Sequence, residues 1–356
     1  MRDLRDLLAA FDGLSARGEL GVLATVVEVE GSTYRRAGAR ALLLPDGEIA
    51  GLISGGCLEG DLLERAIGVR ESGAAVRVRY DHRGEDDLLW GLGLGCAGLV
   101  DVLLQPVSRG EPGPFPRLRE ALGAAEPLAL ATVVAREGEV APEIGAAWEL
   151  SAGERAALLE RGHACTRWRE GQGFRVEILE ELIAPPVPLL VLGAGPDVVP
   201  VARLAAALGF AVRVVDPRPA LVRADRFPEA ELLACPPEEA PARIAVTPSC
   251  VALVMSHHYL HDKAFLGWLL ATPARYVGVL GPKRRTEDLL RDLRAEGVPV
   301  GEEALERLYA PAGLDLGADG PEAIALALLA EIQAVLARRP GGPLRDRKGP
   351  IHDPAP

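Results

Sequence analysis

Two cysteines in the N-terminal half lie in glycine-rich turns whose residues could do thiol chemistry. Cys57 follows Ser54-Gly55-Gly56, precedes Glu59, and stands where an apolar helical pattern begins at Leu58. The dipole and free N–H groups of a helix N-terminus favour a thiolate or a bound anion. The turn therefore predicts a reactive thiol or an anion cradle. The alternative is a small buried cysteine in a tight turn.

The second cysteine, Cys96, lies in a loop with four glycines directly before an apolar strand at 99–104: Gly91, Gly93, Gly95 and Gly98. Backbone without Cβ atoms can approach a ligand closely, so this loop is a second predicted cofactor contact. The five cysteines contain no Cys-x-x-Cys pair. They indicate neither a disulfide framework nor a zinc ribbon, and no metal site is predicted.

A third segment, in the C-terminal half, has the order of a dinucleotide-binding βαβ unit. An apolar run from Val187 leads to Gly193-Ala194-Gly195, then a helical pattern, then a second apolar run that ends at Asp216. Gly193 would form the tight turn, Gly195 would admit a pyrophosphate, and Asp216 would accept ribose hydroxyls. Val198 replaces the third glycine of the motif, so a turn that binds nothing is the alternative.

Two further segments follow predicted strands, whose carboxyl ends face the ligand crevice in such sheets. The first runs from Ser256-His257 to Asp262. His257 and Asp262 are its predicted catalytic residues, and His257 is the best-placed acid or base. The second combines Gly281 with Lys283 and Arg284, a predicted phosphate clamp, because positive charge at a helix N-terminus needs an anion to compensate it. The alternatives are solvated histidines and an ordinary helix start.

These segments need two domains to position them, and a chain of 356 residues with 49% hydrophobic content can build both. We predict an N-terminal α+β domain over 1–184, with lobes at about 1–110 and 117–184. Proline-rich joints separate the lobes and the domains. A Rossmann-like domain with a doubly wound parallel sheet is predicted over 187–338, and a flexible tail over 339–356.

The two predicted lobes share an internal repeat with a separation of 107 positions. The segment Leu23-Ala-Thr-Val-Val27, followed by a Glu-Gly pair and Gly38, recurs as Leu130-Ala-Thr-Val-Val134, followed by a Glu-Gly pair and Gly145. Only the first copy is followed by a cysteine turn. If the lobes are duplicates, the chemistry belongs to the first lobe and the second is scaffold.

The net charge of −12 argues against nucleic acid or an anionic membrane as a partner. The N-terminus lacks the pattern of a signal peptide, and no apolar run approaches the length of a membrane span. The sequence therefore predicts a cytoplasmic protein with no membrane span.

Taken together and in this order, the segments resemble the xanthine dehydrogenase accessory family, also called XdhC/CoxI, over about residues 12 to 336. The resemblance rests on the two cysteine turns, the Gly-Ala-Gly turn, the Ser-His segment, the Tyr-x-Gly-x-x-Gly segment with its basic residues, and Pro-x-Gly-Leu-Asp-x-Gly at 311–317. Three positions depart from the family pattern: Pro196, Ala97 and Pro282.

The resemblance implies a chaperone for molybdenum hydroxylases that is not itself a hydroxylase. Such proteins bind the molybdenum cofactor, protect it while a cysteine desulfurase supplies its terminal sulfur, and deliver it to the apo-enzyme. Cys57 and Cys96 are predicted to face the Rossmann crevice, where one of them contacts the metal or the transferred sulfur. A homodimer is also expected.

Two rival functions remain at this point. The first is an NAD(P)-dependent oxidoreductase with His257 as its acid or base, which leaves both cysteine loops without a task. The second is a regulatory module that senses a dinucleotide, binding it without turnover. The Rossmann domain is expected to bind NAD(P), another nucleotide or a different phosphate ligand.

Overall fold

The computed structural model describes residues 2–31, 33–81 and 98–348. Gly93, Gly95 and Cys96, predicted from the sequence as site residues, lie outside these ranges. The chain divides between Pro185 and Pro186 into two compact units, and each is described by itself. Within the described ranges, no helix is both long enough and apolar enough to cross a membrane.

The first lobe of the N-terminal unit contains a five-stranded antiparallel sheet in the order β3-β2-β1-β5-β4. Its elements are α1 (Arg2–Arg17), β1 (Gly21–Gly31), β2 (Arg40–Leu43), β3 (Ile49–Gly51), α2 (Glu59–Ser72), β4 (Val76–Asp81) and β5 (Gly98–Val107).

The second lobe contains a smaller antiparallel sheet in the order β6-β8-β7. Its elements are α3 (Phe115–Gly123), β6 (Leu128–Glu137), α4 (Ala152–Arg161), β7 (Cys165–Gly171) and β8 (Phe174–Ile183). Apolar side chains of α1, β1, β5, α3 and β6 form one shared core between the lobes, where the rings of Phe11 and Phe115 stack with their centroids 3.8 Å apart.

The C-terminal unit confirms the predicted doubly wound sheet. Its six strands are all parallel, in the order β11-β10-β9-β12-β13-β14. The elements are β9 (Pro188–Leu192), α5 (Val198–Ala207), β10 (Ala211–Asp216), β11 (Glu231–Ala234), α6 (Ala240–Arg243), β12 (Val251–Val254), α7 (Tyr259–Leu270), β13 (Tyr276–Val279), α8 (Lys283–Ala295), α9 (Glu302–Glu306), β14 (Leu308–Tyr309) and α10 (Pro321–Leu336), followed by a 3-10 turn at Leu344–Asp346.

Alternate residues of β9 enter two different cores, as the two-residue period of a strand requires. Leu189 and Val191 pack with α5 and α10, whereas Leu190 and Leu192 pack with α7 and α8. The strand order reverses at β9, so the carboxyl ends of β9 and β12 meet at the switch point. Ligands bind at that edge in sheets of this type.

The sequence repeat has a direct structural counterpart. The β1–β5 register shifts between Val26 and Glu28, and the β6–β8 register shifts between Val133 and Ala135, which are the matching positions. In each lobe the turn glycine donates its N–H to the carbonyl of the residue before the bulge, at 2.8 Å in both copies. One bulged unit has therefore been built twice.

The lobes also contact each other reciprocally. Gln105 of β5 donates to the carbonyl of Gly145 at 2.9 Å, and a Cβ added at Gly145 would lie 2.9 Å from the Gln105 amide nitrogen. Glu181 holds the corresponding position in β8, and a Cβ added at Gly38 would lie 2.8 Å from its carboxylate. The contact thus has approximate twofold symmetry.

One buried ion pair breaks that symmetry. Arg40 of β2 pairs through both terminal nitrogens with the Glu181 carboxylate, and both side chains are less than a tenth exposed. In the other half of the repeat the matching residues are Ala147 and Gln105, which carry no charge. The Arg40–Glu181 pair therefore replaces a neutral contact at the same place.

We expect Glu181→Gln to destabilise the N-terminal unit by roughly 3 kcal/mol, because it leaves the Arg40 guanidinium buried without a counter-charge. The double variant Arg40→Ala with Glu181→Gln places the uncharged residue types of the other half at both positions, and it should recover part of that loss. Calorimetric unfolding of the full chain measures both effects.

The control is Asp12→Asn, which removes an exposed ion pair with Arg119 that also joins the two lobes. Its effect should stay below about 1 kcal/mol. A single Glu181→Gln variant as stable as the Asp12→Asn variant would show that the buried pair is not what holds the lobes together.

Candidate functional site

The turn before Cys57 is held by two side chains that bond each other. Ser54 donates its N–H to the Glu59 carboxylate at 2.9 Å, and its hydroxyl donates to the other carboxylate oxygen. The same hydroxyl oxygen accepts the N–H groups of Gly56, Cys57 and Leu58 at 3.1–3.3 Å. Three consecutive backbone donors therefore have a partner inside the turn.

This arrangement changes what the turn can bind. An anion cradle needs free N–H groups, and here Ser54 and Glu59 occupy them. Burial alone would raise the pKa of Glu59, but hydrogen bonds from Ser54 and backbone N–H groups outweigh it and hold the pKa below its usual value. A carboxylate thus sits at the start of α2, where the helix dipole favours it. Ser54 and Glu59 position the turn, and their contact with a cofactor stays a prediction.

The open part of the turn is its glycine corner. Gly55 and Gly56 are exposed, and Cys57 beside them is half-buried. Gly56 has a φ of +108°, and an added Cβ there would meet nothing within 4 Å. The Tyr34 ring lies 4.0 Å from where a Cβ on Gly55 would be, and it is itself exposed. A thiol therefore lies beside bare backbone and an aromatic ring, a surface suited to a planar ligand.

Because the two lobes repeat the same structure, matching positions can be compared to find the segments that only the first lobe contains. Thr25 pairs with Arg40 and the next helix begins at Glu59, whereas Thr132 pairs with Ala147 and the next helix begins at Ala152. The hairpin β2–β3 and the Cys57 turn fill that additional length.

The second difference between the lobes is the length of the connection between the two strands that follow α2 in the first lobe and α4 in the second. Residues 82–97 separate β4 from β5, but only Gln172 and Gly173 separate β7 from β8. Apart from its longer helices α1 and α2, the first lobe exceeds the second in two connections, and these are the segments that carry Cys57 and Cys96.

In the C-terminal unit, the Gly-Ala-Gly turn follows β9 as predicted. Gly193 has a φ of +135°, and a Cβ there would lie 2.4 Å from the Met255 carbonyl oxygen, so no other residue fits. The turn packs directly against the end of β12. Arg226 supports it from the other side by donating to the carbonyls of Ala194 and Gly195 at 2.9 and 3.1 Å.

Few backbone donors of this turn remain for a pyrophosphate. The N–H of Ala194 is bonded to Asp216, and the N–H groups of Val198 and Val199 bond back to carbonyls of the turn. Positions 196 and 200 are prolines and have no N–H. Gly195 and Asp197 supply the donors that have no acceptor in the described part of the chain.

Asp216, predicted to bind ribose hydroxyls, is 0% exposed. One carboxylate oxygen accepts the N–H and Nε–H of Arg218 at 2.9 and 2.8 Å, and the other accepts Ala194 N–H and an Arg218 terminal nitrogen, both at 2.8 Å. Burial alone would raise the pKa of Asp216, but these bonds outweigh it and lower the pKa. The carboxylate is an internal brace, and its ribose contact stays a prediction.

His257 lies at the crevice with a partner that the sequence did not reveal. Its Nε2 is 2.7 Å from a carboxylate oxygen of Asp197, the residue directly after the glycine turn. The ring is 58% exposed, and the backbone has a φ of 59°, which is unusual for a residue other than glycine. A carboxylate that orients an exposed imidazole is an arrangement able to transfer a proton.

Asp262 is buried and holds the same loop together. One carboxylate oxygen accepts the N–H of Ser256 at 3.1 Å and its hydroxyl at 2.5 Å, and the other accepts from Arg285 at 2.6 Å. These bonds hold the loop and the start of α8 in place. His257 is therefore the better candidate for an acid or base, while a catalytic role for Asp262 stays a prediction.

The basic loop divides its charges between two tasks. Arg285 is committed to Asp262, whereas Lys283 and Arg284 are exposed at the start of α8 and have no ion-pair partner among the described residues. Gly281, with a φ of +131°, turns the chain from β13 into this helix. Two unpaired cations at a helix N-terminus raise its positive potential, which an anionic ligand would relieve.

In the described ranges, no group of three or more His, Cys, Asp or Glu residues is placed to hold a metal ion. The predicted residues of the C-terminal unit do come together along one edge of the sheet, at the ends of β9, β10, β12 and β13. Sequence reasoning missed Asp197, Arg218, Arg226 and Arg285. Asp197, Arg218 and Arg285 stand within two positions of predicted site residues, which is the one signal that could have found them.

Comparison with known proteins places this geometry in a family. The model of the XdhC Rossmann domain matches residues 189–332, and that of the XdhC and CoxI family matches residues 14–81. Over 338 residues the chain is 33% identical to a probable xanthine dehydrogenase subunit of Bacillus subtilis (strain 168), covering 90% of this chain and 94% of that protein. The chain belongs to the XdhC and CoxI family.

Other relatives of this XdhC/CoxI protein extend the comparison over nearly the whole chain. A crystal structure described as a xanthine dehydrogenase from Bacillus halodurans has a TM-score of 0.75 and 30% identity, covering 95% of this chain and 97% of that one. The molybdenum cofactor insertion chaperone PaoD of Escherichia coli (strain K12) is 23% identical over 318 residues, covering 89% of this chain and 84% of PaoD. The family resemblance predicted from the motifs is confirmed.

The hydrogen bonds of the Asp216 carboxylate predict that the stability of the C-terminal unit depends on pH. Its pKa is lower in the folded chain than in the unfolded chain, so its stabilising contribution is complete above pH of about 4 and is lost as the pH falls through the folded pKa. We expect Asp216→Asn to cost roughly 1–3 kcal/mol at neutral pH, and the gap from the wild type to shrink below pH of about 4.

Hydrogen exchange of the C-terminal unit at a series of pH values measures this gap. Asp225→Asn, which breaks an exposed pair with Arg223, is the matched control and should show a much smaller effect. A gap for Asp216→Asn that stays constant from neutral pH down through the acid range would contradict the assignment.

Proposed function

We propose that this protein carries the molybdenum cofactor as cargo, assists its sulfuration by a cysteine desulfurase, and delivers it to an apo molybdenum hydroxylase. The protein is then a maturation chaperone and not a hydroxylase. The name of the relative PaoD supports the insertion role. The family and the relatives named for xanthine dehydrogenase support a hydroxylase of that type as the client, or one of the carbon monoxide dehydrogenase type.

One observation carries this proposal. The two lobes repeat the same bulged sheet, and the two connections that are longer in the first lobe are those that carry Cys57 and Cys96. Extra segments on a repeated scaffold are the natural place for a site, because the scaffold already folds without them in the other copy. Both segments are rich in glycine and each carries a cysteine, which a binding role explains and a purely structural role does not.

The residues at the Cys57 turn suit one part of such a cargo. A cysteine sulfur is a soft ligand for molybdenum or a partner for the transferred sulfur, and the bare backbone of Gly55 and Gly56 lets a flat pterin approach. The N–H groups of Gly56, Cys57 and Leu58 are occupied, so we expect the phosphate of the cargo to bind elsewhere. Ser54 and Glu59 hold the thiol in place.

The oxidoreductase alternative has one observation in its favour, the Asp197–His257 contact. Against it, the glycine turn offers few free N–H donors, and Asp216 is saturated by Arg218 and Ala194. The carboxylate that ordinarily holds a ribose is therefore occupied, and the turn that ordinarily holds the pyrophosphate retains only the N–H donors of Gly195 and Asp197. The geometry favours a carrier over a hydride-transfer enzyme.

Replacing Cys57 or Cys96 by serine should lower molybdenum loading of a client hydroxylase at least about tenfold, because serine is a poor ligand for a soft centre. The matched control is Cys165→Ser, which changes a half-buried cysteine of the second lobe. The measurements are the molybdenum content of the purified chaperone and the activity regained by the apo-hydroxylase.

Undiminished client activation by the Cys57→Ser and Cys96→Ser variants would reject the assigned role of the cysteines. Protein purified without molybdenum or pterin from a cofactor-producing host, but oxidising NADH at an ordinary enzymatic rate, would instead establish the oxidoreductase. In that case His257→Asn should abolish the oxidation of NADH.

A further inference from the structure

Arg218, two residues beyond the end of β10, stands where a Rossmann sheet receives the ribose of a nucleotide. Its guanidinium is oriented by two parallel bonds to the buried Asp216 carboxylate, both 2.8 Å long, through Nε and one terminal nitrogen. The Arg218 side chain is nevertheless 52% exposed. The charge is therefore fixed in direction and open to solvent at the same time.

The bonds to Asp216 leave most of the guanidinium donors available. A guanidinium has five N–H groups, and Asp216 takes one on Nε and one on a terminal nitrogen. The other terminal nitrogen has no acceptor in the described part of the chain. The outer edge of Arg218, formed by its two terminal nitrogens, is thus a free fork of the shape that binds phosphate oxygens in pairs.

Two histidines at the start of α7 lie within electrostatic range of Arg218. The rings of His258 and His261 are stacked at a tilt, with their centroids 4.0 Å apart, at the start of α7. His258 accepts the N–H of His261 through Nδ1, which leaves Nε2 as its donor. His261 lies close enough to Arg218, Asp216 and Glu238 for their charges to act on it. The two imidazoles at the start of α7 thus lie within electrostatic range of the guanidinium at the end of β10.

We propose that Arg218, with His258 and His261, forms a binding site for a phosphomonoester at the end of β10. Either of two sources could supply this group: the 2′-phosphate of a phosphorylated nucleotide or the terminal phosphate of a pterin. The site borders the glycine turn, since one Asp216 oxygen bonds both Ala194 and Arg218, and it does not include the exposed Lys283 and Arg284. It does not depend on the proposed carrier function, because a nucleotide can occupy it as well.

Occupancy of Asp216 explains why the site selects a phosphate and not a ribose diol. A diol needs a free carboxylate to accept its two hydroxyls, and both oxygens of Asp216 are already bonded. A phosphate needs donors, which Arg218 retains. The same ion pair that removes the diol acceptor orients the phosphate donor.

Calorimetric titration of the full chain with 2′,5′-ADP and with 5′-AMP tests the proposal, because these probes differ only in the 2′-phosphate. The second pair of probes is the oxidised pterin phosphate obtained from molybdopterin and the same pterin after phosphatase treatment. We expect the phosphorylated member of at least one pair to bind roughly 10- to 100-fold more tightly.

Arg218→Gln should abolish that ratio, and Arg223→Gln should preserve it. Arg223 lies on the same connection and is also more than half exposed, but it pairs with the surface residue Asp225. Because each ratio compares two probes on one variant, a general loss of affinity cancels. If Arg218→Gln does not fold, the double variant Asp216→Asn with Arg218→Gln removes both charges and replaces it.

The outcomes separate the two sources. Discrimination within the nucleotide pair alone identifies a 2′-phosphate site, and discrimination within the pterin pair alone identifies a site for the phosphate of the cargo. Equal binding within both pairs, no binding of any probe, or an unchanged ratio in the Arg218→Gln variant would overturn the proposal. If the wild-type chain fails to activate the apo-hydroxylase but still discriminates within a probe pair, the carrier function is rejected and this phosphate site stands.

Discussion

A carboxylate accepts a backbone N–H group at three turns that carry candidate site residues, one beside the thiol and two at the Rossmann crevice. Glu59 accepts from Ser54, Asp262 accepts from Ser256, and Asp216 accepts from Ala194. At the first two turns the serine hydroxyl bonds the same carboxylate and also accepts N–H groups that follow. Both units therefore use one device, a serine and a carboxylate that together fix the backbone of a turn.

The same device limits what the turns can bind. Every N–H group that bonds a carboxylate or a serine is lost to a phosphate, and each carboxylate adds negative charge in a protein of net charge −12. Compensating positive charge comes from arginines: Arg218 at Asp216 and Arg285 at Asp262. Anion binding then depends on side-chain cations and no longer on the helix N-terminus, which is the usual partner of a Gly-x-Gly turn.

Much of the fold follows from local sequence, whereas the state of the site does not. Apolar runs of strand length, the turn at Gly193 and the repeat of Leu23–Val27 predict the parallel sheet and the twin lobes, because these patterns express backbone geometry. The partners of Asp216 and His257 could not be read in the same way. Those contacts depend on side-chain conformations at the meeting of separate strands, and spacing along the chain leaves them open.

The order of the strands determines how far Arg218 lies from Lys283 and Arg284 along the edge of the sheet. Arg218 follows β10, and Lys283 and Arg284 follow β13, with β9 and β12 between them. At about 4.8 Å for each strand spacing, the ends of β10 and β13, after which the two groups follow, lie roughly 14 Å apart along the edge of the sheet. Between them are the donor-poor glycine turn and the Asp197–His257 contact. This layout favours a ligand with anionic groups at its two ends and an uncharged middle, in contrast to a dinucleotide, whose charge is concentrated at its central pyrophosphate.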